Sequence, residues 1–546
     1  RAYMSGNASM QKDSQDIMQR DTRVLMLAAL FFIMLILYLT FRRVSDIFLP
    51  LAVIFIAILW VMGTMGWAGI PYTTMSVAIM PLMLGINIAY VIHILSRYYE
   101  EREGGRDPFA AATTSIKTVG IAVFLTAITT VFGFASFMIS DLPQMRDFGL
   151  VCMCGIIYSF LLSLTLLPAV TVIRDRRKAS EKLEDHLEKM RRRRRDARYG
   201  TLIDRSLSGS SIAAYRHHWI VMGVLAALIA IAGLMIFRLE TGADIRNYFP
   251  DDLPSMEASR KLQHYFGPQD SDVLLIKGDF LEPESLEAIL AMEDAVSKDT
   301  RNKPDREGYF TREGIFSLAD MVAQAGDGKI PASKGEVELL LEQPEFKRQA
   351  AAFVSPDGEY TTVMLRSGFP ETEDEISVKT HILRDQAEET EKNSGLKITP
   401  TGMTVLITDV LGNLLPTQLK TSGLALLLCL LVLIVVFRSF SYGLATLTVV
   451  VFGICVEIVM LYALGWPLDF MTVTISSLLI GIGVDFGIHV THRFREERHG
   501  KEMSVEESIR TTVIHVGRAL VAAAFTTAGV FAILGLSRIE PMKRFG

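Results

Sequence analysis

The chain has 546 residues, of which 50% are hydrophobic and 21% are charged, with a formal net charge of −5. Its mean hydropathy of +0.32 excludes an ordinary water-soluble protein, because several uncharged runs reach the roughly 18–20 residues that cross a bilayer. All four cysteines lie inside apolar runs and show no metal-binding or disulfide spacing, which predicts small core residues. The first 23 residues are polar and show no signal-peptide pattern.

Ten apolar segments predict a polytopic α-helical membrane protein. In chain order they cover residues 24–41, 47–67, 74–95, 119–139, 148–173, 219–237, 423–437, 444–464, 470–491 and 516–535. The predicted division of the chain is 1–23, the end of a first external domain; 24–173, the helices of a first half; 174–218, a basic cytoplasmic linker; 219–237, the first helix of a second half; 238–421, an external domain; and 422–546, the remaining helices.

The polar segment 238–421 has no spanning run and is long enough to fold as a domain. Its pattern predicts strands at 273–277 and 396–400 and helices at 283–297 and 374–393. Residues 350–366 are expected to form a hairpin around the turn Pro356–Gly358. Alternating strands and helices indicate a small α/β sandwich.

Basic residues fall on one side of the membrane if the predicted spans alternate in direction. Loops 66–73 and 465–469 have no lysine or arginine, and loop 140–147 has only Arg146. The positive-inside rule therefore predicts a multi-pass protein of the cell (inner) membrane, with domain 238–421 on the extracytoplasmic side. The run Arg191–Arg195 is interpreted as a topology anchor, with binding to anionic lipid as the alternative.

The two halves of the chain repeat each other. A shift of 396 residues, which becomes 397 after one insertion, superposes identical residues: Gly85 on Gly481, His93 on His489, Arg97 on Arg493, and Thr129–Thr130 on Thr526–Thr527. A register held this long indicates a parallel duplication, which places functional sites at the interface between the halves. Extending the register predicts twelve spans in the parent chain, with a helix and an external domain before residue 1 and a last helix after residue 546.

Asp485 lies in the middle of an apolar span. A carboxylate there costs roughly 2.5–3.5 kcal/mol on insertion scales, so it normally marks an ion or proton path. Gly481 and Gly483 allow a neighbouring helix to pack closely at this depth. The repeat aligns Ala89–Tyr90 with Asp485–Phe486, and Asn87 is the one strongly polar residue of the first copy at that level.

These features resemble the RND superfamily, and most closely its MMPL and hopanoid-exporter branch, which is related to the sterol-sensing proteins Patched, Dispatched and Niemann–Pick type C. The resemblance rests on six spans per half, a large external domain after the first span of each half, and the motif Gly483-Val-Asp-Phe486. The segment Asp244–Pro250 also looks like the family's entry into its second external domain. The resemblance implies two pseudo-symmetric halves with external ferredoxin-like porter domains.

The implied function is export or shuttling of hydrophobic or lipid-like molecules, such as hopanoids, sterol-like lipids or fatty-acyl lipids, driven by the proton motive force. Its partners would be membrane lipids, a hydrophobic substrate and protons, and a homo-oligomer is left open. No catalytic residues, cofactor, metal or nucleic acid is expected. The alternatives are a sterol-sensing-type lipid receptor that does not pump, and a SecDF-type translocation accessory.

In the mycobacterial lipid exporters of the superfamily, each half contributes an Asp–Tyr pair that crosses to the other half. Here one crossed pair, Asp485 with Tyr90, is retained, whereas the other would join Ala89 to Phe486. The hypothesis is a relay with one carboxyl group, which alternates between charged and neutral forms. The alternative is that Asp485 holds helices together by a hydrogen bond to Tyr90 or Asn87.

Other polar residues are candidates around this centre. Glu457 is interpreted as a second titratable site, a cation ligand together with Asp485, or a group facing an aqueous vestibule. His489 is a candidate proton shuttle next to Asp485, although a structural hydrogen bond is the favoured role because His93 recurs without an aspartate. Four threonines are expected to pack helices beside the relay and to assist it secondarily: Thr129, Thr130, Thr526 and Thr527.

Overall fold

The computed structural model describes residues 7–41, 45–177, 202–239, 242, 253–266, 270–302, 309–367, 373–500 and 503–546. The chain forms two compact units. The sheet unit comprises Arg1–Ser14 and Gly242–Asn413, and the helical unit comprises Gln15–Thr241 and Leu414–Gly546. The basic run Arg191–Arg195 and the motif Asp244–Pro250 lie outside the described residues.

The first half of the chain is helical. Its helices are α1 (Asn7–Phe41), α2 (Ser45–Ala68), α3 (Ser76–Glu103), α4 (Pro108–Ala135), α5 (Pro143–Leu164) and α6 (Leu166–Arg177), followed by α7 (Leu202–Arg216) and α8 (His218–Met235). Several helices extend beyond the predicted spans because hydropathy detects only the membrane core. Helix α4, for example, begins eleven residues before the predicted span at 119, where Asp107 accepts hydrogen bonds from the backbone N–H groups of Phe109 and Ala110.

The sheet unit has a four-stranded antiparallel sheet. Its elements are α9 (Pro254–Phe266), β1 (Asp270–Lys277), α10 (Pro283–Lys298), β2 (Ile315–Ser317), α11 (Leu318–Ala325), α12 (Lys334–Glu342), α13 (Pro344–Ala350), β3 (Tyr360–Ser367), α14 (Glu373–Ser394) and β4 (Lys397–Gly402). The strand order is β2-β3-β1-β4, and each neighbouring pair is antiparallel. With α10 and α14 as connections, this is the ferredoxin-like topology that the family resemblance implied.

The core of the sheet unit lies between the sheet and helices α10 and α14. Leu274 and Ile276 of β1 and Val363 and Leu365 of β3 alternate inward and are at most 1% exposed. They pack against apolar side chains of the two helices, including Leu286, Ile289, Met292, Ile382 and Leu383. The unit therefore buries one face of its sheet.

The predicted hairpin at 350–366 is wrong in its first strand. Ala350 ends helix α13, and Val354 makes one isolated bridge with Thr361. The turn itself forms, since the N–H of Ser355 donates to the carbonyl of Tyr360 at 2.9 Å. Strand β3 pairs instead with β1 and β2. Alternating apolar residues predicted a strand correctly but could not identify its partner.

The second half resumes with α15 (Met403–Phe437), α16 (Phe440–Leu464), α17 (Thr472–Gly500), α18 (Val505–Leu534) and α19 (Glu540–Phe545). In the described part of the chain, nine helices are long and apolar enough to cross a membrane, and the bent helix α18 raises the number to ten. Each of the ten predicted spans coincides with one of these helical segments, and at most two residues of any span lie beyond its end. The prediction of a polytopic helical membrane protein is confirmed.

Glu293 gives the sheet unit a testable pH dependence. Its side chain on α10 is 1% exposed, and burial raises its pKa from 4.5 to about 8, with Asp320 adding to the effect and Arg312 opposing it. The folded unit therefore keeps a proton that the unfolded chain releases near its ordinary pKa. This contribution to stability is present below pH 4.5 and is lost as the pH rises toward 8.

We expect protection of the α10 amides against hydrogen exchange to decrease between about pH 5 and pH 8, by on the order of 2 kcal/mol in opening free energy. Glu293→Gln mimics the protonated acid and should remove most of this slope. Some slope should remain because burial also raises the pKa of Asp272. Equal slopes in the wild type and in Glu293→Gln would contradict the assignment.

Candidate functional site

Four helices from the two repeats meet in the helical unit: α3 and α4 from the first half, and α17 and α18 from the second. Glycines bring α4 and α17 into backbone contact. A Cβ atom added to Gly133 would lie 2.8 Å from the Cα atom of Gly481, and one added to Gly481 would lie 3.3 Å from the Cα atom of Thr130. Small residues thus set the distance between these two helices.

Two hydrogen bonds cross between the halves and are equivalent by the repeat. The hydroxyl of Thr130 donates to the carbonyl of Gly481 at 3.0 Å. The hydroxyl of Thr527 donates to the carbonyl of Gly85 at 3.4 Å. These threonines and glycines are aligned with each other in the duplication, so the two halves exchange the same contact. This reciprocity supports a pseudo-twofold relation between them.

The side chains at equivalent packing positions of the two halves differ in size. Val530 stands where the first half has Gly133, and its side chain would be 3.1 Å from a Cβ atom added to Gly85. Helix α18 therefore meets α3 through a side chain, whereas α4 meets α17 through its backbone. The two sides of the interface are not identical.

A small cavity lies where these four helices meet. Its volume is about 20 Å³, enough for about one water molecule. The lining residues come from all four helices: Ile86, Ala89, Tyr90, His93, Thr126, Ile482, Asp485, Phe486, His489, Leu520, Ala523 and Thr527. The predicted relay residues Asp485, Tyr90 and His489 thus share one cavity.

Asp485 faces Tyr90 across the interface between the repeats. It also lies beside the hydroxyl of Thr129 and the thiol of Cys429. Within the described residues, Oδ1 of Asp485 and Oη of Tyr90 are buried without a hydrogen-bond partner. A carboxylate with an unpaired oxygen at this depth costs several kcal/mol, and protonation decreases that cost. The geometry suits a group that exchanges a proton with water in the cavity.

His93 and His489 meet face to face in the same cavity. Their ring centroids are 4.5 Å apart and the ring planes are inclined by 24°. One ring comes from each repeat. The sequence suggested a hydrogen bond for each histidine or a shuttle role for His489, and the structure adds that the two rings contact each other. The alignment of His93 with His489 was the available signal, because equivalent positions can meet at a pseudo-twofold axis.

The remaining predicted residues lie outside the lining of the cavity. Asn87 is fully buried and donates to the sulfur of Met83 on its own helix at 3.6 Å. Thr526 donates to the carbonyl of Ala522 at 2.7 Å, also within its helix. Gly483 packs against Val450. These residues surround the site without contacting its cavity, so the structure gives no support to Asn87 as a relay group.

Glu457 belongs to a separate polar cluster. Gln418 on α15 donates to the Ser476 hydroxyl at 3.0 Å, and this hydroxyl donates to Oε2 of Glu457 at 2.8 Å. Ser476 precedes Asp485 by nine residues, which is about 13–14 Å along a helix. The two carboxyl groups are therefore not brought together as ligands of one cation. The described residues contain no group of three or more histidine, cysteine or acidic side chains that could hold a metal ion.

Sequence reasoning missed a buried ionic network at the basic end of the helical unit, the end at which α3 and α17 carry Arg97 and Arg493. Arg174 of α6 forms an ion pair with Asp46 of α2 and donates to the Tyr99 hydroxyl at 2.8 Å. The Tyr99 hydroxyl also donates to Asp46 at 2.7 Å. The second repeat has a different contact at this place. Arg495 is equivalent to Tyr99 and Tyr442 is equivalent to Asp46, and the guanidinium of Arg495 lies 5.0 Å from the centre of the Tyr442 ring. The available signal in the sequence was Asp46, an acidic residue directly before the apolar span 47–67.

Comparison with known proteins agrees with this architecture. The sequence profile of the MMPL family matches residues 1–206 and 247–546. The chain belongs to the MMPL family. The resemblance inferred from the span pattern and the Gly483–Phe486 motif is thereby confirmed.

Similar MMPL-family and membrane proteins occur in distant organisms. A putative membrane protein of Methanocaldococcus jannaschii is 36% identical over 32% of this chain and 44% of its own length. The apo-petrobactin exporter of Bacillus anthracis is 20% identical over the whole chain and 69% of its own length. The heme uptake protein MmpL11 of Mycobacterium tuberculosis is 32% identical over 25% of this chain and 15% of its own length. The chain thus spans less than half of the first relative and about two thirds of the second.

Proposed function

We propose that this MMPL-family chain is a proton-driven transporter that exports or shuttles hydrophobic or lipid-like molecules. The observation that carries the proposal is Asp485, which faces Tyr90 across the interface between the repeats and has an unpaired buried oxygen in a cavity of about one water. Such a carboxyl group is expensive in a membrane unless it has a function. Its place between the halves would let their relative movement change its access to either side.

The relatives support transport and leave the cargo open. One is named as a siderophore exporter and another as a heme uptake protein. Both names describe the movement of a small molecule, in different directions. For this chain, lipid-like cargo fits the family resemblance and the membrane setting, and the hopanoid, sterol-like and fatty-acyl classes are the candidates.

The proposed orientation places the basic end in the cytoplasm and the sheet unit on the extracytoplasmic side. The support is the excess of arginine and lysine in loops that alternate with nearly uncharged ones. In this orientation Asp485 would take up a proton from the extracytoplasmic side and release it toward the cytoplasm. Glu457 lies toward the extracytoplasmic side of Asp485, because Ser476 precedes Asp485 on α17.

A lipid receptor without pumping is the second candidate. It is favoured by the other side of the interface, where Ala89 and Phe486 both line the cavity and provide no titratable pair. A receptor would retain its lipid regardless of the state of Asp485, whereas a transporter needs Asp485 to change charge.

Mass spectrometry of lipids retained by the full-length protein in native membrane discs tests the cargo class. Discs of an unrelated polytopic protein from the same membrane serve as the control. We expect one lipid class to be enriched at least several-fold over the bulk membrane and over the control. Retention of bulk lipids alone would contradict lipid-like cargo and would favour a soluble amphiphile.

A further inference from the structure

We infer that His93 and His489 act as one proton-holding unit, which accepts the proton of Asp485 and passes it toward the basic end of the helical unit. This inference rests on the proposed function and adds a second step to its proton path. It assigns a role to the first repeat, which contributes a histidine to the cavity but has Ala89 at the position of the aspartate.

The positions of the two rings carry the inference. They stack with centroids 4.5 Å apart, and both line the cavity that contains Asp485. On α17, residues Gly481, Asp485, His489 and Arg493 follow each other at intervals of four, so they lie on one face in steps of about 6 Å. His489 is therefore the next group after Asp485 in the direction of the basic end.

The first repeat carries the same stripe with one difference. Gly85, Ala89, His93 and Arg97 occupy the equivalent positions on α3. If the histidines served only as partners of an aspartate, His93 would have no group of that kind on its own helix. Its ring instead lies against the ring of His489. This contact brings the two repeats together one helical turn beyond Asp485.

The surroundings leave the histidines as the next acceptors. Asp485 and Tyr90 are the other titratable groups in the lining, and His492 lies close enough to His489 to influence it electrostatically. Helices α4 and α18 contribute uncharged lining residues: Thr126, Leu520, Ala523 and Thr527. One turn beyond the histidines, Arg97 and Arg493 are paired at 2.6 Å with Glu101 and Glu497, so their positive charge is largely balanced.

Two stacked rings hold a proton better than one in such a place. A lone imidazolium in a small apolar cavity would lose most of its hydration. A second aromatic ring within about 6 Å stabilises a cation through its π electrons. Imidazole is also the side chain whose ordinary proton affinity matches neutral pH. The stacked arrangement thus provides both the acceptor and a partner for the charge.

The transfer conserves atoms and charge. The O–H bond of the Asp485 carboxylic acid breaks and an N–H bond forms on an imidazole, directly or through one water in the cavity. This leaves a carboxylate and an imidazolium. The imidazolium then releases its proton to water at the basic end and becomes neutral again. One proton moves in each cycle and no electron is transferred.

Charge movement after a pH jump tests the inference with the proton itself as the probe. Full-length protein is reconstituted in liposomes on a solid-supported membrane. The variants are His93→Phe, His489→Phe and the double variant, in which a phenyl ring keeps the stacked shape but binds no proton. His492→Phe is the matched control, since His492 is exposed on the same helix.

We expect each phenylalanine variant to decrease the transient charge about tenfold or more, because phenylalanine keeps the ring contact but removes one of the two nitrogen bases that pass the proton on. For the same reason the double variant should be no worse than either single one. His492→Phe should retain the wild-type signal. Infrared difference spectra should still show protonation of Asp485 in the phenylalanine variants, assigned by its loss in Asp485→Asn. If the two histidines were only structural, their replacement would not block onward proton transfer while leaving protonation of Asp485 intact.

Two other outcomes are decisive in different ways. Wild-type charge movement in both phenylalanine variants, with none in Asp485→Asn, would overturn the histidine step and leave the proposed function intact. Undiminished charge movement in Asp485→Asn would overturn the proposed function itself. If a phenylalanine variant does not fold, His489→Gln replaces it, and a wild-type signal from that variant overturns the inference equally.

Discussion

Replacing Asp485 with asparagine is expected to decrease the charge moved by a pH jump by about 100-fold or more, the loss typical when a proton-transfer group is removed. Asparagine has nearly the same shape and can still donate a hydrogen bond toward Tyr90. It cannot change charge. The substitution therefore separates a carboxyl group that carries protons from one that only joins helices. Proton-driven uptake or release of any enriched lipid should be lost in parallel.

Two further variants serve as comparisons in this experiment. Tyr90→Phe removes the hydroxyl that faces Asp485 and should cause a smaller decrease, about tenfold, because the carboxyl group remains. Cys429→Ala changes another neighbour of Asp485 and should have little effect. Wild-type charge movement in Asp485→Asn, with a folded protein, would support a structural role for the aspartate and favour the receptor.

The duplication allows a stronger version of the same test. In a protein carrying Asp485→Asn, the further substitutions Ala89→Asp and Phe486→Tyr would install the Asp–Tyr pair on the other side of the interface. The reciprocal Thr130–Gly481 and Thr527–Gly85 bonds indicate that this side has the equivalent geometry. Partial recovery of charge movement is expected. The recovery should be incomplete because the two sides are packed differently. Val530 of α18 contacts Gly85 of α3 through its side chain, whereas Gly133 of α4 contacts Gly481 of α17 through the backbone.

The repeat register made much of this site predictable. Apolar runs placed the ten spans, since their length is set by the bilayer. The family resemblance implied Asp–Tyr pairs that cross between the halves, and the alignment of Ala89–Tyr90 with Asp485–Phe486 then identified Tyr90 as the expected partner of Asp485. Strand and helix patterns predicted five of the ten named elements of the sheet unit: β1, α10, β3, α14 and β4. These sequence patterns are local or periodic, and the duplication allowed contacts between the two halves to be inferred from them.

Other features depended on side-chain placement that no local pattern encodes. Glu457 and Asp485 are both acidic residues in apolar spans, and the sequence does not show how far apart they lie. The hydrogen bond from Ser476 to Glu457 shows that their depths differ by more than two helical turns, because Ser476 is nine residues before Asp485 on α17. The stack of His93 on His489 required the distance between α3 and α17. The hairpin was misassigned because β3 pairs with β1, which lies more than eighty residues earlier in the chain.

Gly133 is expected to be the most sensitive packing position between the repeats. A Cβ atom there would lie 2.8 Å from the Gly481 Cα atom and 3.1 Å from both the Gly481 nitrogen and the Ser477 carbonyl oxygen. All three are backbone atoms and cannot rotate away, so α4 and α17 would have to separate. That movement would also lengthen the Thr130–Gly481 hydrogen bond. Gly133→Ala should therefore destabilise the helical unit by about 1–3 kcal/mol, and charge movement should decrease with it.

Gly63→Ala is the matched control, because Gly63 lies in helix α2 and a Cβ atom there would contact nothing within 4 Å. Alanine favours helices over glycine by roughly 1 kcal/mol, so this variant should be as stable as the wild type or more stable. The same substitution thus has opposite signs in two spanning helices. Thermal unfolding is measured with a thiol-reactive dye that reports exposure of the buried cysteines Cys152, Cys429 and Cys455. If Gly133→Ala unfolded at or above the wild-type temperature, the backbone contact between α4 and α17 would be wrong, and with it the distance that positions Asp485 beside Thr129.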